Sequence, residues 1–557
     1  MPRQRQSPPA GAASPIAGTA VRSGDAAAGQ RPAALAWATA PGGAVRRAAG
    51  SVWLLPMAVA AVAGGYRIGG PIMWRDELAT WSAATRSVPQ LWTMWHHIDA
   101  VYGLYYLGLH FWIAVFGDSP AAMRVPSLLA MTGAAGLVAL IGRRLGGFTA
   151  GLTGGLVFAL IPGISRFAQE ARPYAGATFF AALATLLLLR ALARPGWQRW
   201  APYALAVAAA GASNVLALCL LAGHALGALG VVLRRRRSTD GPERGWAGAA
   251  TGFGLSAVAA VVLDSPLLIE GHKQAAEQID GVLRPPLSQL TAGVWPELFC
   301  STAAAVAVIA LALLSLAGPR RRGGGFCLAS AFVPVLIIWS VSQGSVSYWF
   351  ARYLLFTLPA LAAAAGLGIA WLCALLARRP LRAAAAAAAV VVVAALGLPG
   401  QQEIRQAEAH NWWSYPDPVG DVPVDYEGAA NVIAAGQRPG DGIVFQVSDH
   451  NRWGADFGIE YYLRLRGKPV PTDVFQVRTP AEAGSYQPVE CARPARCLRG
   501  EPRIWVVYTN HLVRGGRYRD PYAAIRPAQA AALRAEHYTI RRMYFEAGIT
   551  VALLARR

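Results

Sequence analysis

Long apolar runs recur along the chain and stop near residue 400. The first is Ser51–Tyr66; others fall at 120–141, 148–165, 174–193, 200–214, 215–233, 246–263, 299–317, 326–342, 353–376 and 382–398. Few charges interrupt them, and a hydrocarbon layer ~30 Å thick needs about 20 apolar helical residues to cross, so the pattern predicts a polytopic α-helical bundle of about eleven spans. The 200–233 stretch reads as two closely spaced spans with a break near Asn214. Residues 1–45, rich in Pro, Ala, Gly and Ser and without apolar period, read as a flexible cytoplasmic tail. Ala61-Val62-Ala63 resembles a cleavage site, but the leader before it is too long for a signal peptide, so Ser51–Tyr66 reads as a signal anchor.

After Gly400 the pattern changes to short strand-like runs, Gly442–Val447 and Arg503–Tyr508. Between them lie helical and turn-rich stretches. Asp425–Gln437 has apolar residues at helical spacing and is followed by a turn at Arg438–Asp441. The expected organisation is a tail over 1–45, a membrane domain over 46–400 whose first outer loop spans 69–119, and an extracytoplasmic α/β domain over 401–557.

Charge decides the orientation. The 557-residue chain carries +21 with 55% hydrophobic and only 15% charged residues. A soluble globular domain has roughly 25% charged residues, so the basic excess is not a nucleic-acid signal. With Val101–Gly117 lying on the membrane surface and the N-terminus cytoplasmic, inner loops hold 18 Arg, among them Arg234–Arg237 and Arg320–Arg322, against 8 Arg or Lys in the outer loops. That division satisfies the positive-inside rule. If Val101–Gly117 crossed instead, every later loop would change sides and the arginine runs would lie outside. Cys219, Cys300, Cys327 and Cys373 sit in or beside spans as small hydrophobes, while Cys491 and Cys497 in the outer domain suit a short disulfide loop in an oxidising compartment.

Ionisable residues gather at the outer ends of the spans. Trp74-Arg75-Asp76-Glu77 follows the first span, and paired carboxylates there suit a general base tuned by burial and by its neighbour. The competing reading is a helix N-terminus favouring acids by its dipole. His96, His97 and Asp99 precede the aromatic Tyr102–Tyr106 segment; no further ligand stands at suitable spacing, so they read as a polar turn and not a metal set. Arg124, Glu170-Ala171-Arg172-Pro173-Tyr174, Lys273 and Arg352-Tyr353 complete the outer set. Arginines at that level suit bidentate capture of a lipid phosphate, or simple snorkelling to headgroups. No phosphate-cradling GxxxxGKS or dinucleotide GxGxxG motif is present at a strand–helix junction.

The order of these segments resembles the GT-C superfamily of polyprenyl-phosphate-sugar-dependent glycosyltransferases: a span, Asp76-Glu77, an interfacial Tyr105-Tyr106 to Trp112 segment, Arg124-Val125-Pro126-Ser127, then Ala171-Arg172-Pro173-Tyr174-Ala175. It looks most like the branch containing protein O-mannosyltransferases, the lipid A aminoarabinose transferase and bacterial Rgt-type transferases. The resemblance is good over about 70–195, looser to 376 and weak for the outer domain. It implies an extracytoplasmic site and inversion at the anomeric carbon, with Asp76 as base and Glu77 supporting it. Asp99, Tyr105, Arg124, Glu170, Arg172, Tyr174, Lys273 and Arg352 are then the candidate substrate-binding residues, with Arg172, Arg124 and Arg352 toward the donor phosphate. Two departures stand out: Val101-Tyr102-Gly103 replaces a frequent His-Pro-Pro segment, and the C-terminal domain is not a MIR domain.

The expected function is transfer of a hexose, mannose first, from polyprenyl phosphate to a hydroxyl of a lipid, glycan or protein in the cell envelope. Membrane lipids are partners and nucleic acid is not. Arginines stabilise the leaving phosphate, so this mechanism requires no metal cofactor, although the sequence leaves room for a divalent cation. A polyprenyl-lipid transporter or flippase, and an inactive membrane scaffold, are the rival readings.

Overall fold

The computed structural model describes residues 51–237, 244–279, 282–406, 424–446, 454–509 and 520–557. The expected tail over 1–45 lies outside them, as do Arg46, Arg47, Asp240, Glu243 and Asp280.

The chain enters through α1 (Leu54–Gly65) and then forms three short helices before the long ones begin: α2 (Arg75–Ala84), α3 (Val88–Trp95) and α4 (Gly103–Phe116), the last preceded by a 3-10 turn at Ala100–Tyr102. Local sequence sets these ends. Ser87 and Gln90 form a capping box with Pro89 at the second position of α3. α4 stops at Gly117, whose φ of +79° a residue with a Cβ rarely adopts.

Helix α5 (Pro120–Gly146) starts on the Ser119 cap and contains Pro126. Pro126 has no N–H to give the Ala122 carbonyl. Trp112 Nε1 of α4 donates to that carbonyl at 2.9 Å instead, which pins α4 across the head of α5. α6 (Phe148–Leu160) and α7 (Pro162–Ala168) form a pair bent by 63°. They are followed by α8 (Tyr174–Ala193), α9 (Trp197–Ser213), α10 (Leu220–Arg237) and α11 (Arg244–Gln278). Then come α12 (Val294–Phe299), α13 (Thr302–Leu314), α14 (Arg321–Val341), α15 (Leu358–Ala374) and α16 (Arg379–Glu403).

The membrane region is arranged around α15, whose apolar window is 89% buried, against 17% for α11 and 11% for α16 on the rim. Close approach of α15 to α6 depends on glycine: a Cβ on Gly366 would lie 2.3 Å from the Ala150 carbonyl and 2.7 Å from the Gly154 Cα.

Among the described residues seven helices are long and apolar enough to cross a membrane, or nine if each of two bent pairs is one span. The expected count was about eleven. Two expected spans fall short by length: α1 has 12 residues and α9 has 17. At 1.5 Å per residue these reach ~18 and ~26 Å, below the ~30 Å layer. The break expected near Asn214 is there. Asn214 leaves the helical conformation, accepts from Leu216 N, and donates through Nδ2 to the Tyr353 carbonyl at 2.8 Å.

The C-terminal region holds α17 (Tyr426–Gly436), β1 (Gly442–Phe445), α18 (Ala455–Leu465), β2 (Thr472–Asp473), the two-stranded pair β3 (Gln476–Arg478) and β4 (Val489–Glu490), and β5 (Arg503–Thr509). Two short helices and the hairpin β6 (Tyr538–Glu546) and β7 (Ile549–Arg556) complete it. The main sheet runs β2-β1-β5-β7-β6, with β1 parallel to β2 and β5, and β7 antiparallel to both its neighbours. Asp425 caps α17 by accepting from Gly428 N at 2.7 Å, as its sequence position predicts. A disulfide joins Cys491 and Cys497.

This α/β region shares a core with the short helices that follow α1. Met73, Leu78 and Trp81 of the first loop pack with Tyr426, Phe457 and Tyr461. Two hydrogen bonds tie the same surfaces together: Met73 N donates to the Tyr462 hydroxyl, and the Tyr461 hydroxyl donates to the Asp118 carbonyl.

Candidate active site

Helix α2 begins with Arg75, Asp76 and Glu77, so two carboxylates occupy its first turn, where the helix dipole favours negative charge. Adjacent helical residues point about 100° apart, and the two acids meet different surroundings.

Glu77 faces inward and is fully buried. Arg124 of α5 grips it bidentately, Nε to Oε1 at 2.8 Å and Nη2 to Oε2 at 2.7 Å, and Ala171 N donates to Oε1 at 2.9 Å. The remaining Arg124 donors go to the carbonyls of Ile68, Pro71 and Ile72. All five guanidinium N–H groups are therefore taken by protein. Arg124, expected at the donor phosphate, thus has all its donors on protein acceptors, and Glu77, expected beside the base, is paired with Arg124 on the far side from the Asp76 cluster. The pair closes the loop between α1 and α2 and locks it to the head of α5.

Asp76 points to the other side and is 9% exposed. Three arginines surround it: Arg75 Nε at 3.2 Å from Oδ1, Arg352 Nη2 at 3.7 Å and Arg172 Nη2 at 3.9 Å from Oδ2. Burial pulls its pKa upward, but Arg75, Arg172 and Arg352 outweigh burial and hold it below the ordinary carboxylate value. Asp76 is therefore an ionised carboxylate in a cationic cup.

Arg172 sits in the turn before α8, where Pro173 ends one segment and starts the next. Its Nη1 donates to Thr80 Oγ1 at 3.3 Å and to the Tyr106 hydroxyl at 3.2 Å, and Nη2 donates to the Tyr174 hydroxyl at 3.4 Å. The guanidinium lies 4.3 Å from the Tyr102 ring centre. Among the described residues its buried Nε has no hydrogen-bond partner. Arg352 stacks 4.3 Å from the Phe350 ring and 5.6 Å from that of Trp74. The hydroxyls of Tyr102, Tyr174 and Tyr353 line up beside them, Tyr102 lying 3.2 Å from Tyr174 and 3.4 Å from Tyr353.

Asp99, in a left-handed backbone conformation with φ of +57°, accepts from the Tyr106 hydroxyl at 2.8 Å. Burial raises its pKa, and Arg172 and the tyrosine hydroxyls only partly offset that.

The structure thus brings Asp76, Asp99, Arg172, Tyr174 and Arg352 into one cluster. Three other candidates stay apart. Glu170 forms an i,i+4 pair with Arg166 at 2.9 Å, both buried, and burial raises its pKa. Tyr105 turns toward Ser127 among the apolar side chains. Lys273 is 63% exposed and pairs with Glu270. His96 and His97 turn their Nδ1 atoms to the carbonyls of Trp92 and Thr93.

Sequence reasoning missed Thr80, and it placed Tyr102, Tyr106 and Tyr353 in the outer polar segments without counting them among the candidate site residues. A signal existed for Tyr102 and Tyr106: they are spaced i, i+4, the separation that puts two side chains on one side of a helical turn, whereas Tyr105 is out of phase with them. Among the described residues no group of three or more His, Cys, Asp or Glu is placed to hold a metal ion.

The dolichyl-phosphate-mannose-protein mannosyltransferase family model matches residues 104–259. No curated protein matches the chain. Among solved structures, ArnT from Cupriavidus metallidurans bound to undecaprenyl phosphate superimposes with a TM-score of 0.52 at 13% identity, over 92% of this chain and 98% of that one. The oligosaccharyltransferase of Archaeoglobus fulgidus gives 0.44 at 11% identity, over 91% and 73%. The likeness to ArnT is one of fold: a helical membrane region followed by a strand-containing C-terminal region, the GT-C architecture.

Proposed function

We propose that this GT-C glycosyltransferase moves a hexose, mannose first among them, from a polyprenyl monophosphate to a hydroxyl of a lipid, glycan or protein outside the cytoplasm. The observation that carries the reading is the buried Asp76 carboxylate held between Arg172 and Arg352 at the head of the helical bundle. The side of the membrane rests on the sequence reading of eleven spans, under which inner loops hold 18 basic residues against 8 in the outer loops and the Asp76 face lies outside.

In this mechanism Arg172 and Arg352 bind the donor phosphate, and stacking on Tyr102 and Phe350 keeps their planes fixed. Asp76 takes the proton of the acceptor hydroxyl. The acceptor oxygen attacks the anomeric carbon from the face opposite the phosphate, the C1–O bond breaks, and polyprenyl phosphate leaves with the electron pair, so the centre inverts.

Alone, Asp76 is a weak base, because three arginines stabilise its charge. The donor phosphate brings negative charge to two of them and so raises the basicity of Asp76 when the acceptor must be deprotonated. The base would thus be activated by substrate binding.

The test is transfer by purified protein in lipid nanodiscs, given polyprenyl-phosphate hexoses and mixed acceptors. Transfer by the wild type and a drop of about a thousandfold in Asp76→Asn are expected. Wild-type rates in that variant overturn Asp76 as the base, and absence of transfer by the wild type overturns the reading and favours a transporter or scaffold.

A further inference from the structure

We propose that Tyr486, carried by the C-terminal α/β region, is a positioning residue of the transfer site, fixing Asp99 and, through Tyr106, the Arg172 guanidinium. The inference rests on the preceding reading of Arg172 as a donor-phosphate ligand.

Tyr486 follows a tight turn between β3 and β4. Thr479 and Glu482 cap each other, Thr479 N to Oε2 at 2.8 Å and Glu482 N to Oγ1 at 3.2 Å. The turn lies flat on α3 because Gly484, at φ of +61°, has no side chain: a Cβ there would lie 2.9 Å from both Thr93 and His97. Arg86 fastens the turn further. Its Nη2 donates to the Ser485 carbonyl at 2.6 Å, and its guanidinium carbon lies 5.6 Å from the Tyr486 ring centre.

So held, the Tyr486 hydroxyl donates to Asp99 Oδ2 at 2.9 Å and lies 3.2 Å from the Tyr106 hydroxyl. Tyr106 donates to the same Asp99 oxygen at 2.8 Å, which leaves the Tyr106 oxygen as acceptor for Arg172 Nη1 at 3.2 Å. A relay therefore runs from the C-terminal region to the edge of the Asp76 cup. Its direction depends on an ionised Asp99: a protonated one would compete as donor and free Tyr106 to turn away from Arg172. The groups facing Asp99 are Arg172, Arg86, Asp76, Tyr102, Tyr106 and Tyr486, and the Tyr486 hydroxyl favours its charged form.

Kinetics of Tyr486→Phe in nanodiscs, with polyprenyl-phosphate mannose as donor, test the relay. The Michaelis constant for the donor is expected to rise about tenfold, the loss expected for one hydrogen bond to a charged group, with a smaller change in kcat. The acid limb of kcat/KM should move to higher pH, because Asp99 loses a donor to its charged form. Gly484→Ala, which lifts the turn from α3, should raise the same constant and serves if Tyr486→Phe does not accumulate. Val477→Ala, at a side chain 61% exposed, should match the wild type. An unchanged donor constant and pH profile in Tyr486→Phe, beside an inactive Asp76→Asn, overturn this inference alone. An equal loss in Val477→Ala overturns it too, by showing general fragility of the domain. Absence of transfer by the wild type overturns it together with the reading it rests on.

Discussion

Asp76 and Glu77 are chain neighbours, and both face arginine. Glu77 meets one guanidinium in a closed, fully buried bidentate pair, with every donor of Arg124 matched to a protein acceptor. Asp76 meets three guanidinium groups, two of them beyond hydrogen-bond distance at 3.7 and 3.9 Å, and among the described residues the buried Nε of Arg172 has no hydrogen-bond partner. Closed geometry holds structure; loose geometry with excess positive charge leaves room for an anion. The lesson is that residue type and position cannot separate the two roles, whereas counting satisfied donors can.

The largest effect should come from the loose group. Asp76→Asn keeps shape and loses the charge, and transfer should fall about a thousandfold while thermal stability in detergent stays near that of the wild type. Glu77→Gln should do the reverse. It leaves a buried guanidinium without its counter-charge, which costs about 3–5 kcal/mol and should appear as a strongly lowered unfolding temperature and poor yield. Replacing both Glu77 and Arg124 by leucine should not restore stability, because the carbonyls of Ile68, Pro71 and Ile72 then lose their donors. A stable Glu77→Gln with lost activity would erase the contrast.

Much of this site was legible. Arg172-Pro173-Tyr174 and Asp76-Glu77 are local in sequence, and their order along the spans pointed to the architecture that the ArnT superposition shares. Arg124 was read as a phosphate ligand because sequence reports a charge at a span mouth but not the three carbonyls that enclose it. Tyr105 was chosen over Tyr102 and Tyr106 for want of helical phase. Tyr486 reaches Asp99 across 387 residues of chain, and nothing near it marks that contact. In the C-terminal region β1 and β5 announced themselves as apolar runs, and β5 is almost wholly buried. β6 did not, because its burial pattern lacks strict alternation at the sheet edge.

A smaller effect separates the arginines. Arg172→Lys and Arg352→Lys keep charge but lose the planar fork and the stacking on Tyr102 and Phe350. Each should raise the donor Michaelis constant about tenfold, with Asp76 still ionised. Lysine variants with wild-type constants would show that the two cations act only as a diffuse field.

The smallest and most discriminating effect is on pH. In free protein Arg75, then Arg172, then Arg352 depress the Asp76 pKa against the upward pull of burial. Removing any of them raises it, so the base stays protonated to higher pH and the acid limb of kcat/KM, which reports the free enzyme, moves up. Arg75→Gln should move it most and Arg352→Gln least. Arg75 is the more exposed, at 24% against 8% for Arg352, so salt should mute its share first. If the donor phosphate offsets Arg172 and Arg352, the acid limb of kcat, which reports the loaded enzyme, must lie at higher pH than that of kcat/KM. Coincident limbs would mean that the phosphate binds elsewhere, and Asp76 would then keep its charge without gaining basicity from the substrate.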